Sequence, residues 1–450
     1  MLRRVHVLRT IVTAARRLRA TVRSAAVVAV ALVQVPVFIL RNQAIFQNEL
    51  VYPFWIWSFG HTTLGIDFAS RLYYPARISL VFVPHPRSNS FVPLCFDHNV
   101  DVFFYRPSLD DRGLGGAAQF AILRFWLLLL SGLTGRFTVV DRTAVYKAVS
   151  VAEDRLLASD REGRRLVPTP DMTGYMRLLR EGVGRRPALP AELTERCRRR
   201  IEERHPSFFA RPFVTFALRE KGRNEPFDSA ARCCGPQENY RPAVRFLTEN
   251  GYHVVGAAET RHEIFTDLPG YFGLDDVDLP RELADIFVLT TCALLVGQLS
   301  GPISPLANTT GVPCVVPDAM PHRLGTFAPD DILVFKTLRV AATGRPLSLV
   351  EIYVDRPELA YGVGLAESGV LIEPSTPEEI LAGVEEVVAR VEGRLQLTQE
   401  DEALIERFRE IVPAQMLLSY LGNRPSLSAL RAVRSELLGG PPPLGRSSRA

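Results

Sequence analysis

The chain contains 450 residues, of which 47% are hydrophobic and 23% are charged. A chain of this length usually forms two or three domains, and this composition supplies enough apolar side chains for large buried cores. A wholly disordered chain, a collagen and a disulfide-stabilised miniprotein are therefore excluded.

Positive charge is concentrated at the N-terminus. The formal net charge is +4, but residues 1–48 contain eight arginines, no lysine and no acidic residue. The other 402 residues hold 45 basic against 49 acidic side chains, a balance of −4. A nucleic-acid-binding protein carries its basic excess on the folded surface, so this distribution argues against nucleic acid and favours a membrane surface as a partner.

Residues 24–40 form an uncharged run of 17 residues. As a helix this run rises about 25 Å, less than the hydrocarbon core of about 30 Å, and Gln34 and Pro36 weaken a membrane span further. No small-residue cleavage site follows, which disfavours a signal peptide. Upstream, apolar residues recur at helical spacing beside arginines, as in an interfacial anchor. We predict that residues 1–50 form a membrane-associating segment, with a helix packed on its own domain as the alternative; whether residues 24–40 span the bilayer or lie on it stays open.

Strand-like and helical segments alternate through the rest of the chain. In the first half, the pattern predicts strands over 77–84, 101–105 and 135–140, a helix over 117–133, and a charged, mostly helical zone over 141–206. In the second half it predicts strands over 213–218, 252–255, 293–297 and 313–316, and helices over 238–249 and 281–291. Ser375 or Thr376 is the expected N-cap of a later helix. This alternation is typical of parallel α/β units.

The six cysteines form no C-x-x-C pair and no zinc-type Cys/His pattern. Neither a disulfide framework nor a structural metal site is implied, and a reducing cytosol fits best. Cys292 and Cys314 lie in apolar stretches and are expected in the core. The adjacent Cys233 and Cys234 lie in a loop and are weaker candidates for reactive thiols.

The segment Leu295-Val-Gly-Gln-Leu-Ser-Gly-Pro-Ile-Ser304 carries the strongest local signal. A buried strand leads into a turn where Ser300 caps a helix and Pro302 suits its first turn, so free backbone N–H groups form an anion site. An ordinary strand-to-helix connection is the alternative. Cations that follow the strand ending at Leu218 favour a diphosphate, since ligands gather at the carboxyl ends of parallel strands. These cations are Arg219, Lys221 and Arg223.

The segment Ser58-Phe-Gly-His-Thr-Thr-Leu-Gly-Ile-Asp67 precedes a helix expected over 68–73. Gly60 and Gly65 would let the backbone approach a ligand, and His61 and Asp67 are an acid/base pair. His98 is a second candidate base. A structural role for each histidine is the alternative.

Asp276-Val-Asp278 spells a D-x-D, a motif that holds a divalent metal in some sugar transferases. Leu279, Pro280 and a helix follow, so capping by Asp278 is the preferred interpretation. P-loop, H-E-x-x-H and G-x-S-x-G motifs do not occur in the sequence.

Several short motifs, in order and spacing over residues 50–420, resemble those of bacterial GT-B glycosyltransferases. They are similar to an uncharacterised family associated with surface polysaccharides. The motifs are 59–67, 78–86, Leu218-Arg219 with Lys221-Gly222, Glu238-Asn-Tyr240, Gly251-Tyr252, Asp285-Ile286 and Ser300-Gly301. One departure is Ala257-Ala-Glu259, where the family pattern leads us to expect a Gly-Asp pair, and it leaves the ribose or base contact open.

The resemblance implies a GT-B fold of two Rossmann-like domains facing a cleft. The implied ranges are an acceptor-side domain over 51–206, a donor-binding domain over 207–395, a helix returning to the first domain over 396–425, and a largely disordered tail over 426–450. By the same resemblance Arg219 neutralises the leaving diphosphate and His61 or Asp67 faces the acceptor. The expected donor-binding residues are Gly60, Lys221, Asn239, Tyr240, Gln298, Ser300 and Gly301.

The expected function is metal-independent transfer of a sugar from a nucleotide sugar to a lipid-linked or cell-surface polysaccharide acceptor. The expected location is peripheral, on the cytoplasmic face of the plasma membrane, with residues 1–41 at the lipid surface. Two alternatives stay open: a GT-B nucleotide-sugar epimerase, and a noncatalytic membrane-tethered nucleotide-binding protein. No cofactor is expected, and sugar, nucleotide, stereochemistry and oligomeric state are left open.

Overall fold

The structure is a computed structural model that describes residues 28–54, 59–84, 89–106, 114–140, 158–159, 165–166, 178–179, 181–219, 233–298, 310–321, 331–356, 359, 368–412 and 423–439. The chain divides into two compact units, Met1–Val145 and Tyr146–Ala450. Each unit contains a parallel β-sheet with helices, which confirms the predicted α/β class.

The described residues of the first unit form a small parallel sheet. Its strands are β1 (Leu50–Phe54), β2 (Ile78–Phe82), β3 (Val100–Phe104) and β4 (Thr138–Val139), and its helices are α1 (28–41), α2 (Phe59–Leu72) and α3 (Leu114–Thr134). The strand order is β3-β2-β1-β4. All three strands predicted for this half are present, at 78–82, 100–104 and 138–139.

Side chains of β1 alternate between the two faces of this sheet. Val51 joins a cluster of buried apolar side chains that includes Val35 of α1 and Leu123 of α3. Phe54 points to the opposite face, where a Cβ placed on Gly65 of α2 would lie 2.7 Å from its ring. Helices α1 and α3 therefore share one face of the sheet, and α2 covers the other.

The second unit is larger. Its strands are β5 (Ala158–Ser159), β6 (Arg165–Leu166), β7 (Phe213–Ala217), β8 (His253–Ala257), β9 (Tyr271–Phe272), β10 (Leu294–Gly297), β11 (Cys314–Ala319), β12 (Ile332–Phe335), β13 (Thr337–Val340), β14 (Val370–Glu373) and β15 (Arg424–Pro425). Its helices are α4 (Ala191–Arg204), α5 (Arg241–Glu249), α6 (Arg281–Thr291), α7 (Pro377–Val391), α8 (Gln399–Ile411), α9 (Leu427–Ala432) and α10 (Arg434–Gly439).

The main sheet of this unit has the order β15-β12-β11-β10-β7-β8-β9, and each neighbouring pair runs parallel. Strands β7, β8, β10 and β11 are buried along their whole length, as continuous apolar runs in a parallel sheet should be. Helices α5 and α7 contribute Val244, Leu247, Ile380 and Val384 to the core on one face. Two antiparallel pairs, β5–β6 and β13–β14, lie outside this sheet.

Local sequence signals explain where α5 ends and where α7 begins. A turn of 3₁₀ helix at Gln237–Tyr240 leads into α5, and Gly251 follows the helix at φ +86°, which a residue with a Cβ rarely adopts. Thr376 caps α7 through a reciprocal pair of hydrogen bonds with Glu379, so the predicted cap is confirmed.

The division between units differs from the boundary expected at residue 206. It falls at Val145, and α4 packs against α6 of the second unit. Cys197 and Ile201 on α4 are fully buried, and Arg204 pairs with Asp276 at 2.5 Å. Most residues of α4 are charged or polar and face solvent, so its sequence resembles that of a linker. One face of the helix nevertheless packs in the core.

Both ends of the described chain are also more integrated than the sequence indicates. Val35 and Ile39 of α1 lie in the core of the first unit, so residues 28–41 follow the alternative prediction of a helix packed on its own domain. At the other end, α9 and α10 replace expected disorder, with Leu430 and Leu437 buried. Helix α8 contacts both of them inside the second unit, and its expected return to the first domain stays a prediction.

None of the helices that the structure describes has the length and hydropathy needed to cross a bilayer.

Candidate functional site

Four polar residues follow or end neighbouring strands of the second sheet. Arg219 and Gln298 come directly after β7 and β10, Asp318 lies near the end of β11, and Lys336 follows β12. Because these strands are parallel neighbours, their carboxyl ends meet at one edge of the sheet. This edge is where ligands bind in parallel α/β sheets.

A chain of hydrogen bonds joins three of the elements at this edge. The backbone N–H of Arg219 donates to Gln298 Oε1 at 2.8 Å, and Gln298 Nε2 donates to the Tyr240 hydroxyl at 2.8 Å. The Tyr240 hydroxyl donates to Asp318 Oδ2 at 2.8 Å. Gln298 and Tyr240 are both fully buried. The direction of each bond is fixed, because a backbone N–H only donates and an ionised carboxylate only accepts.

Asp318 is the acceptor on which this network ends. Its carboxylate also accepts from the N–H of Gly235 at 3.0 Å and from the N–H of Ser375 at 2.7 Å, and its own N–H donates to Ser375 Oγ at 3.2 Å. Its φ is +55°. Such backbone strain persists only where the surroundings enforce it, and it is concentrated at functional sites.

Tyr240 must stay protonated to perform its role. Burial, followed by the nearby charge of Asp318, raises the pKa of the Tyr240 hydroxyl well above its ordinary value. The hydroxyl therefore donates to Asp318 throughout the physiological pH range. The network holds the backbone at Arg219, the first of the three cations that follow β7 in the sequence, in one position.

Lys336 places a buried cation at the same edge. Its Nζ donates to the carbonyl of Cys233 at 2.6 Å, and the residue is 4% exposed. Burial lowers the pKa of Lys336, and the negative charge of Asp318 opposes that shift. Cys233 and Cys234 are themselves buried, which removes them as candidates for reactive surface thiols.

The Arg219 side chain extends along the edge towards β8. Its Nε lies 3.4 Å from Glu259 Oε2, and both side chains are partly exposed to solvent. Ala258, between β8 and Glu259, has a φ of +54°. Among described non-glycine residues, Ala258 and Asp318 are the two with positive φ, and both lie at this edge.

A second polar cluster supports the end of β8. Asp285 Oδ1 accepts from the N–H of Ala258 at 3.2 Å and from Arg281 Nε at 3.0 Å. Burial raises the pKa of Asp285, although Arg281 opposes the shift. Burial lowers the pKa of His262, whose Nδ1 lies 2.7 Å from the Tyr271 hydroxyl. This cluster occupies the position where the expected Gly-Asp pair is missing, and it fixes the unusual backbone at Ala258 instead.

The predicted donor-binding residues have different outcomes. Tyr240 and Gln298 lie together in the network, and Asn239 donates to the carbonyl of Ser375 at 3.2 Å. Arg219 lies at the same edge. Lys221, Arg223, Ser300 and Gly301 lie outside the described residues, so their roles stay predictions.

Gly60, His61 and Asp67 all lie in α2, which begins at Phe59, nine residues before the expected helix start. The predicted glycine-rich loop is therefore the first turns of a helix, and Gly65 serves packing against Phe54. Asp67 is fully buried, and its Oδ2 accepts from Arg71 Nε at 2.8 Å. The structure does not describe the surroundings of Gly60 or the side chain of His61.

Two weaker candidates have structural contacts. The His98 Nε2 lies 3.4 Å from Ser70 Oγ, next to the hydrogen bond from Ser70 to Asn99. In the D-x-D, Asp276 pairs with Arg204, and the Asp278 side chain makes no capping bond to α6, so the expected cap is wrong. Within the described residues, no group of three or more His, Cys, Asp or Glu side chains is arranged to hold a metal ion.

Asp318 and Lys336 were not among the residues predicted from the sequence, and Ser375 was expected only as a possible helix cap. Asp318 follows the apolar run Cys314-Val-Val-Pro317, and Lys336 follows Ile332-Leu-Val-Phe335. A polar residue that ends a buried strand is the signal that could have identified both.

No protein-family model matches the chain, and no curated protein matches it either. Solved structures with a similar fold include the family 9 glycosyl transferase from Veillonella parvula (TM-score 0.38, 13% identity, 60% of this chain and 80% of that chain). Others are ADP-heptose lipopolysaccharide heptosyltransferase II from E. coli (0.36, 13%, 70% and 97%) and UDP-GlcNAc 2-epimerase from Neisseria meningitidis (0.33, 10%, 77% and 100%). These likenesses are remote.

Proposed function

We propose that this chain is a glycosyltransferase whose nucleotide-sugar donor binds at the carboxyl edge of the second sheet. The observation that carries the proposal is the Arg219–Gln298–Tyr240–Asp318 network. It fixes the backbone at Arg219, the first of the cations Arg219, Lys221 and Arg223, and Gln298 lies two residues before the predicted phosphate-binding residue Ser300.

The proposed chemistry needs positive charge at this edge. The leaving diphosphate gains charge as the glycosidic bond breaks, so a fixed cation stabilises the transition state more than the bound donor. Arg219 has this role in the proposal, Lys336 adds a second cation nearby, and Ser300 and Gly301 supply backbone N–H donors.

The acceptor side is proposed to come from the first unit. His61 is the proposed general base, and the proposed acceptor is a lipid-linked or polysaccharide glycan. Asp67 is a weaker candidate base, because its carboxylate is buried and bonded to Arg71. We also propose that the protein works at the cytoplasmic face of the plasma membrane, with residues 1–41 at the lipid surface.

A binding experiment tests the donor site. Thermal shift and calorimetry with a panel of nucleoside diphosphates and nucleotide sugars should identify a ligand of the full chain, and Arg219→Ala should weaken its binding by roughly tenfold or more. Arg211→Ala is the matched control, because Arg211 precedes the same strand β7 at the opposite edge of the sheet. Equal effects of both substitutions, or the absence of any nucleotide ligand, would contradict the proposal.

Product analysis separates the proposed reaction from its alternatives. Transfer to an acceptor extract should persist in EDTA and in Asp276→Ala if the reaction is metal-independent. Turnover of the donor without any acceptor would indicate an epimerase. Binding without turnover under any condition would indicate a noncatalytic nucleotide-binding protein.

A further inference from the structure

The outer faces of α1 and α3, two helices on the same side of the first unit's sheet, expose apolar side chains. On α3 these are Phe125, Leu128, Leu129 and Leu133, and on α1 they are Leu32, Val33, Val37 and Leu40. The spacing on each helix is that of a single helical face. Because both helices pack on the same apolar cluster, they lie on the same side of the sheet, and both turn an apolar face away from it. We call these eight residues the apolar face.

Packing on the sheet leaves this face uncovered by any described residue. The opposite sides of the same helices, at Val35, Ile39, Leu123 and Leu127, are fully buried or nearly so. The sheet therefore already provides these helices with a core. A second apolar side is not needed for folding and usually marks an interaction surface.

The two helices that carry the apolar face have arginines as their only charged residues. Residues 28–48 and 114–140 contain Arg41, Arg124 and Arg136 and no acidic residue. Residues 1–27, which precede α1, contain seven more arginines and no acidic residue. An apolar surface on helices whose only charged residues are arginines matches the boundary between acyl chains and anionic headgroups. Two copies of such a face would instead bring like charges together.

We propose that the apolar face is a docking surface for an anionic lipid bilayer, with α3 as a second lipid-contacting helix in addition to α1. Phe125 and Leu133, the most exposed of the α3 residues at 59% and 74%, enter the acyl boundary, and the arginines contact headgroups. The inference goes beyond the proposed transferase activity, and its test does not measure transfer.

The first test is sedimentation of the full chain with vesicles. Phe125→Gln/Leu128→Gln/Leu133→Gln should lower partition onto phosphatidylglycerol-containing vesicles by roughly tenfold or more, since three apolar side chains no longer enter the bilayer. The matched control is Leu371→Gln/Val391→Gln/Leu397→Gln, which changes similarly exposed apolar residues of the second unit and should leave partition unchanged. Binding of the unaltered chain should weaken on pure phosphatidylcholine and at high salt.

The second test places a reporter on the face. All six cysteines are buried, so Leu128→Cys and Leu371→Cys, at 48% and 52% exposure, can be labelled selectively with an environment-sensitive fluorophore. Phosphatidylglycerol vesicles should shift emission to the blue at position 128 and not at 371. Circular dichroism and thermal melts of each variant establish that it is folded.

Three outcomes would overturn the proposal. Unchanged partition of the folded α3 variant would mean that the lipid contact is elsewhere. A dimer that the α3 substitutions convert to a monomer, with vesicle binding unaltered, would assign the face to a second copy. A fluorophore at 128 that is already shielded without lipid and does not shift would assign it to another segment of this chain.

Discussion

Tyr240 and Asp318 are joined by a 2.8 Å hydrogen bond that links α5 to the strained end of β11. The residues are 78 positions apart, and the bond is fully buried. The Tyr240 hydroxyl also accepts from the amide nitrogen of Gln298, whose amide oxygen accepts from the N–H of Arg219. The position of the candidate cation at Arg219 therefore depends on a hydroxyl that does not itself need to touch a ligand.

Tyr240→Phe tests this dependence. Removal of the hydroxyl leaves Gln298 Nε2 and one lone pair of Asp318 without a partner in the core, so the free energy of unfolding should fall by about 1–3 kcal/mol. The affinity for the nucleotide ligand should fall as well, because the Arg219 backbone is released. Urea denaturation and calorimetry measure the two effects.

The control for this substitution is Tyr252→Phe. The Tyr252 hydroxyl donates to Glu392 at 3.0 Å near the surface, where water replaces the lost bond. Tyr252→Phe should lower the free energy of unfolding by less than Tyr240→Phe does, and it should leave the nucleotide affinity unchanged. Identical results for both variants would show that the buried network has no special role.

Most strands and several helix ends follow from the sequence, whereas the network does not. Continuous apolar runs predict β7, β10 and β11, and a threonine three residues before a glutamate predicts the α7 cap, because these signals are local. Asp318 and Lys336 were missed because their meaning depends on which strands become neighbours. Their partners are about 60 to 100 positions away, and no local pattern encodes that distance.

The start of α2 shows a different limit. Gly60, Thr62, Thr63 and Gly65 are poor helix formers, so the sequence indicates a loop. Packing overrides this preference, since the absence of a Cβ at Gly65 allows the Phe54 ring to reach the helix backbone. The same reason explains why the sequence did not predict the helices after residue 426 and left the packing of α1 as an alternative. The stability of these helices comes from tertiary burial.

Gly65→Ala distinguishes close packing from close approach of a ligand. Alanine is the better helix former by about 0.5–1 kcal/mol, but its Cβ would lie 2.7 Å from Phe54. We expect a net loss of about 1–3 kcal/mol of stability. Gly132→Ala in α3 meets no atom within 4 Å and should be neutral or stabilising. A stable Gly65→Ala protein with weakened ligand binding would favour the ligand interpretation instead.

Asp401 should make stability depend on pH. A bond from Arg431, followed by bonds from Thr398, holds the pKa of this carboxyl below its ordinary value, and the carboxyl is buried at the start of α8. A depressed folded pKa stabilises the protein above the unfolded pKa of about 3.9, and this contribution is lost as pH falls through the folded pKa.

Asp401→Asn should therefore lower the free energy of unfolding by about 1–2 kcal/mol at neutral pH. The difference from the unaltered chain should shrink as the pH falls below about 4. Urea denaturation at a series of pH values measures it. Asp267→Asn is the control: Arg241 also lowers the pKa of Asp267, but this pair is exposed to solvent, so its pH-dependent difference should be smaller. A difference in the free energy of unfolding that stays constant with pH would contradict a lowered pKa of Asp401 in the folded protein.

The buried pair of Asp67 and Arg71 separates a structural role from a catalytic one. Asp67→Asn alone leaves a buried guanidinium without its carboxylate and should cost about 3–5 kcal/mol. The double variant Asp67→Asn/Arg71→Met removes both charges and should recover part of that stability. If the recovered protein also transfers sugar, Asp67 is structural; if it is stable and inactive, Asp67 takes part in the reaction.

His61→Gln tests the proposed base directly. A general base that removes the acceptor proton typically contributes about 10² to 10⁴ in rate, so transfer should fall within that range. Nucleotide affinity and thermal stability should be unchanged, because the donor is proposed to bind the other unit and glutamine is compatible with the first turn of α2. His98→Gln, next to Ser70, is the control and should transfer at close to the unaltered rate. If instead His61→Gln is fully active and His98→Gln is not, His98 is the base. The acceptor would then bind near the start of β3 rather than near the start of α2.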